Sequence, residues 1–464
     1  MFDWKRKERV VKMQLFLANA LVGLVCCIVH AQATPEQLIG RSVSEPANPR
    51  YEKVSAAMAR FLSGDVSGAR SHLTLAKRSN PELPPVGVML SKLYFMVNQS
   101  ASARAELEKV VVEDANDPEA YLVFADVAWQ EGRYTEAETL YSRGFALCNE
   151  LQGNDFRKAN LLESVHAGLN SVAAAREQWD VAESQAREWL KINASSALAQ
   201  SQLGRALFHQ QQYQSAFDAF KEAHKLNSQS PRPEINMALL YEELVVKGDK
   251  SKRASALAAM KQAAESDPQG FVTRLSVARW ALEACEIDMA ESNAKAAADL
   301  NNESLDARLI LGLIARHRKD YELAENAFRE IHIQAPANFE VVKQLSLALV
   351  EQIDEKKQQL ALDYAELSFR ANPDLKQLGA REAAVTLAWV LYKLGRAPDA
   401  LATVRSALTA GNVGDESTYL AARILSETGQ SNAASQILEP VLRGDRCFPT
   451  RADAEKLLSD LARK

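Results

Sequence analysis

Hydrophobic residues recur along this 464-residue chain at helical spacing, three and four positions apart. In one stretch, Leu203 and Leu207 form a first stripe, and Ala216, Phe220 and Ala223 form a second stripe after a short polar break. Each stripe marks one face of an amphipathic helix, so the pattern predicts two helices joined by a tight turn. One such pair cannot bury both of its faces, so it requires neighbouring pairs to cover it.

The same helix pair recurs along most of the chain, and an alanine marks the same place in each copy. These alanines are Ala69, Ala103, Ala137, Ala182, Ala216, Ala256, Ala290, Ala324, Ala361, Ala400 and Ala434. Six of the ten intervals between them are 34 residues long and none is shorter. Because loop insertions lengthen a period and do not shorten it, the spacing predicts eleven repeated units.

These units resemble the tetratricopeptide repeat, a helix–turn–helix unit with a 34-residue period. The unit that matches best carries Leu203, Gly204, Leu207, Tyr213, Ala216, Phe220 and Ala223 at the family's positions. Weaker copies of the pattern extend the resemblance over residues 50–444. The resemblance implies an all-α fold, an α-solenoid forming a right-handed superhelix of about eleven repeats with a C-terminal capping helix.

The N-terminus has the order of a secretory signal peptide. Basic residues come first, the apolar run Leu15–Val29 follows, and a small-residue motif ends at Ala33. We therefore expect residues 1–33 to be removed on export, which places the mature protein in the periplasm, at the envelope or outside the cell. An uncleaved anchor and lipidation at Cys26 remain open, although the run is shorter than the roughly 20 residues that cross a bilayer.

The remaining chain divides around a long interval between the third and fourth units. The predicted segments are a linker at 34–49, repeats 1–3 at 50–147, an insertion at 148–157, repeats 4–11 at 158–444 and a capping helix at 445–464. The insertion is either a surface loop that extends a helix or a joint between two subdomains. Insertions in loops are tolerated at small entropic cost, which favours the first interpretation.

Charge and sequence motifs exclude several classes of function. The net charge of −5 gives the chain no general affinity for phosphate backbones, so nucleic acid is not an expected partner. Nucleotide-binding P-loops, HExxH zinc motifs and GxSxG nucleophile elbows do not occur in the sequence, so we predict no enzyme activity, no metal and no cofactor. Cys148, Cys285 and Cys447 are far apart, permit at most one disulfide, and are expected to be reduced.

The resemblance also implies where a partner binds, because the first helix of each tetratricopeptide pair lines a concave groove. Counting from the small residue equivalent to Gly204, groove positions lie three residues before it, and one and four residues after it. The candidate partner-binding residues are Val88, Lys92, Phe95, Leu122, Asp126, Trp129, Arg205, Phe208, Arg279, Trp389 and Tyr392. Aromatic residues and arginine are enriched at binding hot spots, and contiguous exposed apolar residues mark interaction surfaces. The alternative for each apolar candidate is a place in the core.

These observations predict a non-enzymatic scaffold that binds a protein or peptide segment in its groove outside the cytoplasm. An alternative is an accessory role in the assembly of cell-surface polysaccharide or outer-membrane complexes. A glycan-handling enzyme is a second alternative, and it would need a catalytic acid pair or nucleotide fold that the sequence does not show. Contact with a membrane is expected only through an uncleaved or lipidated N-terminus, and the oligomeric state is left open.

Overall fold

A computed structural model of the chain describes residues 34–113 and 115–463. The predicted signal peptide, residues 1–33, lies outside the described residues. Within those ranges every regular element is helical. The helices are α1 (Pro35–Ile39), α2 (Glu52–Leu62), α3 (Val66–Ser79), α4 (Val86–Met96), α5 (Ser100–Glu113), α6 (Pro118–Gln130), α7 (Tyr134–Glu150), α8 (Asp155–Ala175), α9 (Trp179–Ile192), α10 (Ala197–His209), α11 (Tyr213–Leu226), α12 (Pro233–Lys247), α13 (Arg253–Ser266), α14 (Phe271–Glu283), α15 (Ile287–Leu300), α16 (Leu305–His317), α17 (Tyr321–Gln334), α18 (Phe339–Val350), α19 (Glu355–Ala371), α20 (Leu378–Lys393), α21 (Ala397–Ala410), α22 (Asp415–Glu427), α23 (Ser431–Leu442) and α24 (Arg451–Leu461). Two 3₁₀ turns, Pro49–Tyr51 and Lys250–Lys252, precede α2 and α13.

The helices from α2 to α23 form eleven consecutive pairs, and α24 follows the last pair. This confirms the predicted all-α solenoid of about eleven helix–turn–helix repeats with a C-terminal capping helix. The chain divides into two compact units, one ending at Ala259 and one beginning at Met260, and the boundary lies inside α13. Repeats 1–5 lie in the first unit, and repeats 7–11 lie in the second unit.

Small residues decide how closely the two helices of a pair approach. A Cβ atom built on Gly204 would lie 2.8 Å from the ring of Phe220, and one built on Gly312 would lie 2.6 Å from the ring of Phe328. Real Cβ atoms do not come that close, so glycine at these positions lets an aromatic ring of the second helix lie against the backbone of the first. The Leu-Gly pair of the sequence pattern therefore has a packing cause.

The long interval between repeats 3 and 4 is absorbed mostly by helix. α7 has 17 residues and α8 has 21, and only residues 151–154 separate them. The insertion thus lengthens two neighbouring helices and adds a short connection. The division between the two compact units falls elsewhere, at Ala259 and Met260.

The cysteines depart from the expectation. Cys285 and Cys447 form a disulfide although 162 residues separate them, and Cys148 is free and buried. The expectation of reduced cysteines is therefore wrong for this pair. Within the second unit, the folded repeats bring the turn between α14 and α15 next to the connection between α23 and α24, so that the two Cα atoms lie 5.3 Å apart.

The segment before the first repeat also differs from the linker that the sequence predicts. Leu38 and Ile39 are fully buried, and Val43 is 5% exposed. They belong to one apolar cluster with residues of the first repeats, including Met58 and Phe61 of α2. We call residues 35–43 the N-terminal strap. Among the described residues, no helix is long and apolar enough to cross a membrane.

Candidate functional site

A cavity of about 660 Å³ opens in the first unit between the strap and two inner helices, α4 and α6. The strap contributes Glu36, Gln37 and Arg41 to its wall. The inner helices contribute Lys92, Phe95, Val123, Asp126, Val127 and Gln130. Three predicted partner-binding residues, Lys92, Phe95 and Asp126, thus meet in one cavity. A wall of mixed apolar and charged side chains is suited to a peptide segment with both kinds of group.

Trp129 immediately precedes the cavity residue Gln130 at the C-terminal end of α6. Its side chain is 40% exposed, as the groove prediction requires. An exposed tryptophan beside a cavity is a characteristic anchor of protein interfaces, because it offers a large rigid apolar area to a partner.

Four other candidates are buried, so the prediction that they are exposed in a groove is wrong. Val88 and Leu122 are fully buried, Phe208 is 1% exposed and Trp389 is 8% exposed. The physical cause is packing against helices of the same and of neighbouring repeats. Val88 shares a cluster with Val123 of α6.

Leu122, Phe208 and Trp389 also have identifiable packing partners. Leu122 clusters with Leu161 of α8, and Phe208 makes an edge contact with Tyr241 of α12 at 4.9 Å between ring centroids. In the second unit, the indole N–H of Trp389 donates to Glu351 Oε1 at 2.9 Å, and its ring contacts Tyr419 of α22 and Tyr392. Trp389 and Tyr392 therefore contribute to the internal packing of repeats 10 and 11.

The polar side chains of the groove in repeats 1–4 are directed at the backbone of the strap. Lys92 Nζ donates to the carbonyl oxygen of Leu38 at 2.9 Å. From α8, Asn160 Nδ2 donates to Arg41 O at 3.4 Å, and Asn154 Nδ2, at the start of that helix, donates to Ser42 O at 3.2 Å. Sequence reasoning missed both asparagines, since Asn154 lies in the insertion and Asn160 lies outside the three groove positions of the pattern.

Lys92 is also part of a buried ion cluster beneath the cavity. Its Nζ lies 2.6 Å from Glu119 Oε1, and Arg157 Nη2 lies 3.0 Å from Glu119 Oε2 and 2.8 Å from Asp117 Oδ2. Burial alone would raise the pKa of Glu119, but the positive charges of Lys92, Arg157 and Arg41 outweigh it and lower that pKa to about 2. The carboxylate stays ionised and holds α4, α6 and α8 together.

Asp126 faces the cavity from α6. The Tyr141 hydroxyl donates to its Oδ1 at 2.7 Å, and Arg41 of the strap lies 3.9 Å from its Oδ2. Desolvation raises the pKa of Asp126 above its usual value, although Arg41 opposes the shift. Together with Glu36 of the strap, this carboxylate offers the cavity's negative charge to a basic side chain.

The candidate Arg205 lies in a separate cluster of repeats 4–6. Its guanidinium lies over the ring of Trp179 and 3.5 Å from Glu243, and the ring of Trp179 stacks on His209 at 3.8 Å. Burial lowers the pKa of His209 to about 4, so the imidazole is neutral at pH 7. These contacts hold the Arg205 guanidinium within repeats 4–6, and Arg205 does not line the cavity.

Arg279, the last candidate, is exposed on α14 and lies 3.7 Å from Asp306. In the second unit, a buried ion pair at 2.8 Å joins the inner helices of repeats 8 and 11 through Arg316 and Glu416. Within the described ranges, no group of three or more His, Cys, Asp or Glu side chains could hold a metal ion.

Comparison with protein-family models matches the tetratricopeptide repeat at residues 88–146, 171–231 and 278–339. The first range lies within repeats 2 and 3. The second runs from the end of α8 past the end of α11, and the third runs from α14 to the start of α18. No curated protein matches the chain significantly.

Several solved structures share the helical repeat at low identity. Yeast Tom70 is 14% identical, with 90% of this chain and 96% of that chain covered and a TM-score of 0.36. A tetratricopeptide repeat protein from Parabacteroides merdae is 13% identical, with 65% and 99% covered and a TM-score of 0.35. PilF of Pseudomonas aeruginosa is 15% identical, with 48% and 93% covered and a TM-score of 0.31. Likeness of this degree gives no information on a shared partner.

Proposed function

Because the chain contains tetratricopeptide repeats, we propose that it is a non-enzymatic scaffold that binds a segment of another protein at the cavity between the strap and repeats 2 and 3. Repeat arrays of this type are typically scaffolds for protein–protein interaction and are typically not catalytic. The observation that supports the site is the meeting of Lys92, Phe95 and Asp126 in one cavity, with Trp129 exposed beside it. The second unit offers a weaker case for a binding site, since its candidate Trp389 is buried and its candidate Tyr392 is partly buried against the core.

We place this activity outside the cytoplasm. The signal-like order of residues 1–33 supports export, and the disulfide between Cys285 and Cys447 is of the kind that persists in oxidising compartments. The expected result is a mature chain that begins at Thr34, which intact-mass measurement of the protein from an envelope fraction would show. A mass that includes residues 1–33 would contradict cleavage. A role in surface-polysaccharide or outer-membrane assembly stays a prediction.

The proposed site is tested by Trp129→Glu. A charge at this position should reduce recovery of the bound partner at least tenfold in affinity capture from envelope extracts, because it places a carboxylate where the partner buries apolar surface. Since Trp129 is partly exposed, helical circular dichroism and the melting temperature should stay as in the wild type.

Phe339→Glu is the matched control. Phe339 is 42% exposed, nearly as exposed as Trp129, but it lies in the second unit away from the cavity. It should leave partner recovery unchanged. Equal recovery by the wild type and Trp129→Glu would show that the cavity between the strap and repeats 2 and 3 is not the binding site.

A further inference from the structure

The strap crosses the inner face of several repeats, which a cap on the first repeat would not need to do. It begins beside the cavity and α1 contacts α4 of repeat 2. Its last residues reach Asn154 and Asn160 of repeat 4, which are 112 and 119 positions away from their hydrogen-bond partners along the chain. The segment therefore lies along the groove of repeats 1–4 as a bound peptide would.

The contacts that hold the strap are of two kinds. Lys92, Asn154 and Asn160 donate to main-chain carbonyls, so they would bind any segment with the same backbone path. The side chains supply the rest, since Leu38 and Ile39 are fully buried against apolar residues of α2 and α4 such as Phe61. Arg41, 3.9 Å from Asp126, adds a charge contact. Recognition of this kind combines backbone binding with a few side-chain pockets.

The strap can detach from the groove while every helix pair stays folded. Most of the residues that join it to α2, from Ser44 to Arg50, are exposed, and Thr34 before it is exposed as well. Its buried contacts are confined to a few side chains, whereas the repeats bury whole helix faces. Segments with few buried apolar contacts are the ones that open with a low free-energy cost.

We propose that the strap is an internal ligand of the partner-binding groove and that the external partner is a peptide segment of the same chemistry. That segment has two adjacent aliphatic residues followed two positions later by a basic residue, as in Leu38-Ile39-Gly40-Arg41. This inference rests on the proposed function, because it names the partner class of the same groove. A tethered internal ligand has a high effective concentration, so the groove is open in only a fraction of the molecules. The apparent affinity of the groove for an external segment is reduced in proportion to that fraction.

The test uses a fluorescent peptide of residues 34–45 and the whole mature chain. The double variant Leu38→Asp/Ile39→Asp should release the strap, and it should bind this peptide roughly tenfold or more tightly than the wild type does. A peptide that carries the same two substitutions should not bind. Val112→Asp, which alters a side chain that is 85% exposed on α5, is the matched control and should bind the peptide as the wild type does. Equal, weak binding by all three proteins would overturn the proposal.

A measurement on the wild type covers the case in which the double variant loses its fold. With the unlabelled peptide in excess, hydrogen exchange of strap amides should accelerate at least tenfold, while the amides of α2–α9 keep their rates. Strap amides that exchange as slowly as those of α2, with or without peptide, would show a structural cap and overturn the proposal. Neither measurement needs the cellular partner, so loss of capture by Trp129→Glu together with failure of the peptide would refute the internal ligand and leave the proposed function standing.

Discussion

Replacing Cys447 with serine is expected to lower the free energy of unfolding of the second unit by about 5 kcal/mol. The disulfide closes a loop of 162 residues, and the chain-entropy relation for a loop of that length gives a stabilisation of this size. The disulfide joins the turn after α14 to the connection before α24. It therefore reduces the conformational entropy of the unfolded chain and holds the capping helix near repeat 7. Urea unfolding followed by the fluorescence of Trp280 and Trp389 would measure the change.

Two controls separate the disulfide from a loss of packing. Dithiothreitol should destabilise the wild type and leave Cys447→Ser unchanged, whereas Cys148→Ser should keep its sensitivity to the reductant. Cys285 has a φ of 63°, the left-handed conformation that Gly64 and Gly132 adopt in the turns of repeats 1 and 3. Cys285→Gly/Cys447→Ser should therefore be about 1 kcal/mol more stable than Cys285→Ser/Cys447→Ser. If the urea midpoint of the wild type were the same with and without dithiothreitol, the prediction would be contradicted.

Arg157→Ala is expected to destabilise the first unit by about 3–5 kcal/mol. The guanidinium is 7% exposed and pairs with Asp117 and Glu119, so its removal leaves buried carboxylates with too little positive charge. Urea unfolding at pH 7 would measure the loss. Arg187→Ala is the matched control, because its ion pair with Glu183 lies on the surface and should contribute less than about 1 kcal/mol.

The same ion cluster should make the stability of the first unit depend on pH in the acidic range. The folded-state pKa of Glu119 is about 2, below the value of about 4.3 expected in an unfolded chain, so the unfolded state binds the proton first. The stabilisation from this carboxylate is complete above pH 5 and is lost as the pH falls toward 2. In Arg157→Ala the folded-state pKa should rise, so that less of the stability depends on pH in this range. An unchanged pH profile would show that Lys92 and Arg41 suffice to keep Glu119 ionised without Arg157.

The apolar stripes and their period predicted the repeats because both are local properties. Leu203, Gly204 and Phe220 lie within one unit of chain, and their spacing alone shows which helix faces must meet. The candidate site was predicted less well. The groove positions of the repeat pattern include Lys92, Phe95 and Asp126, which line one cavity, and Trp129, which is exposed, but they also include Val88 and Trp389, which are buried.

The sequence by itself therefore determined the helix pairs, their number and the capping helix, since each follows from contacts between residues close in the chain. Only the tertiary structure decided which inner side chains stay accessible, which cysteines pair and where the strap lies. Those outcomes depend on contacts between residues about 30 to 160 positions apart, such as Asn160 with Arg41 and Cys285 with Cys447. A helical period carries no information on such pairs, because it states which face of a helix is apolar and not which distant segment covers that face.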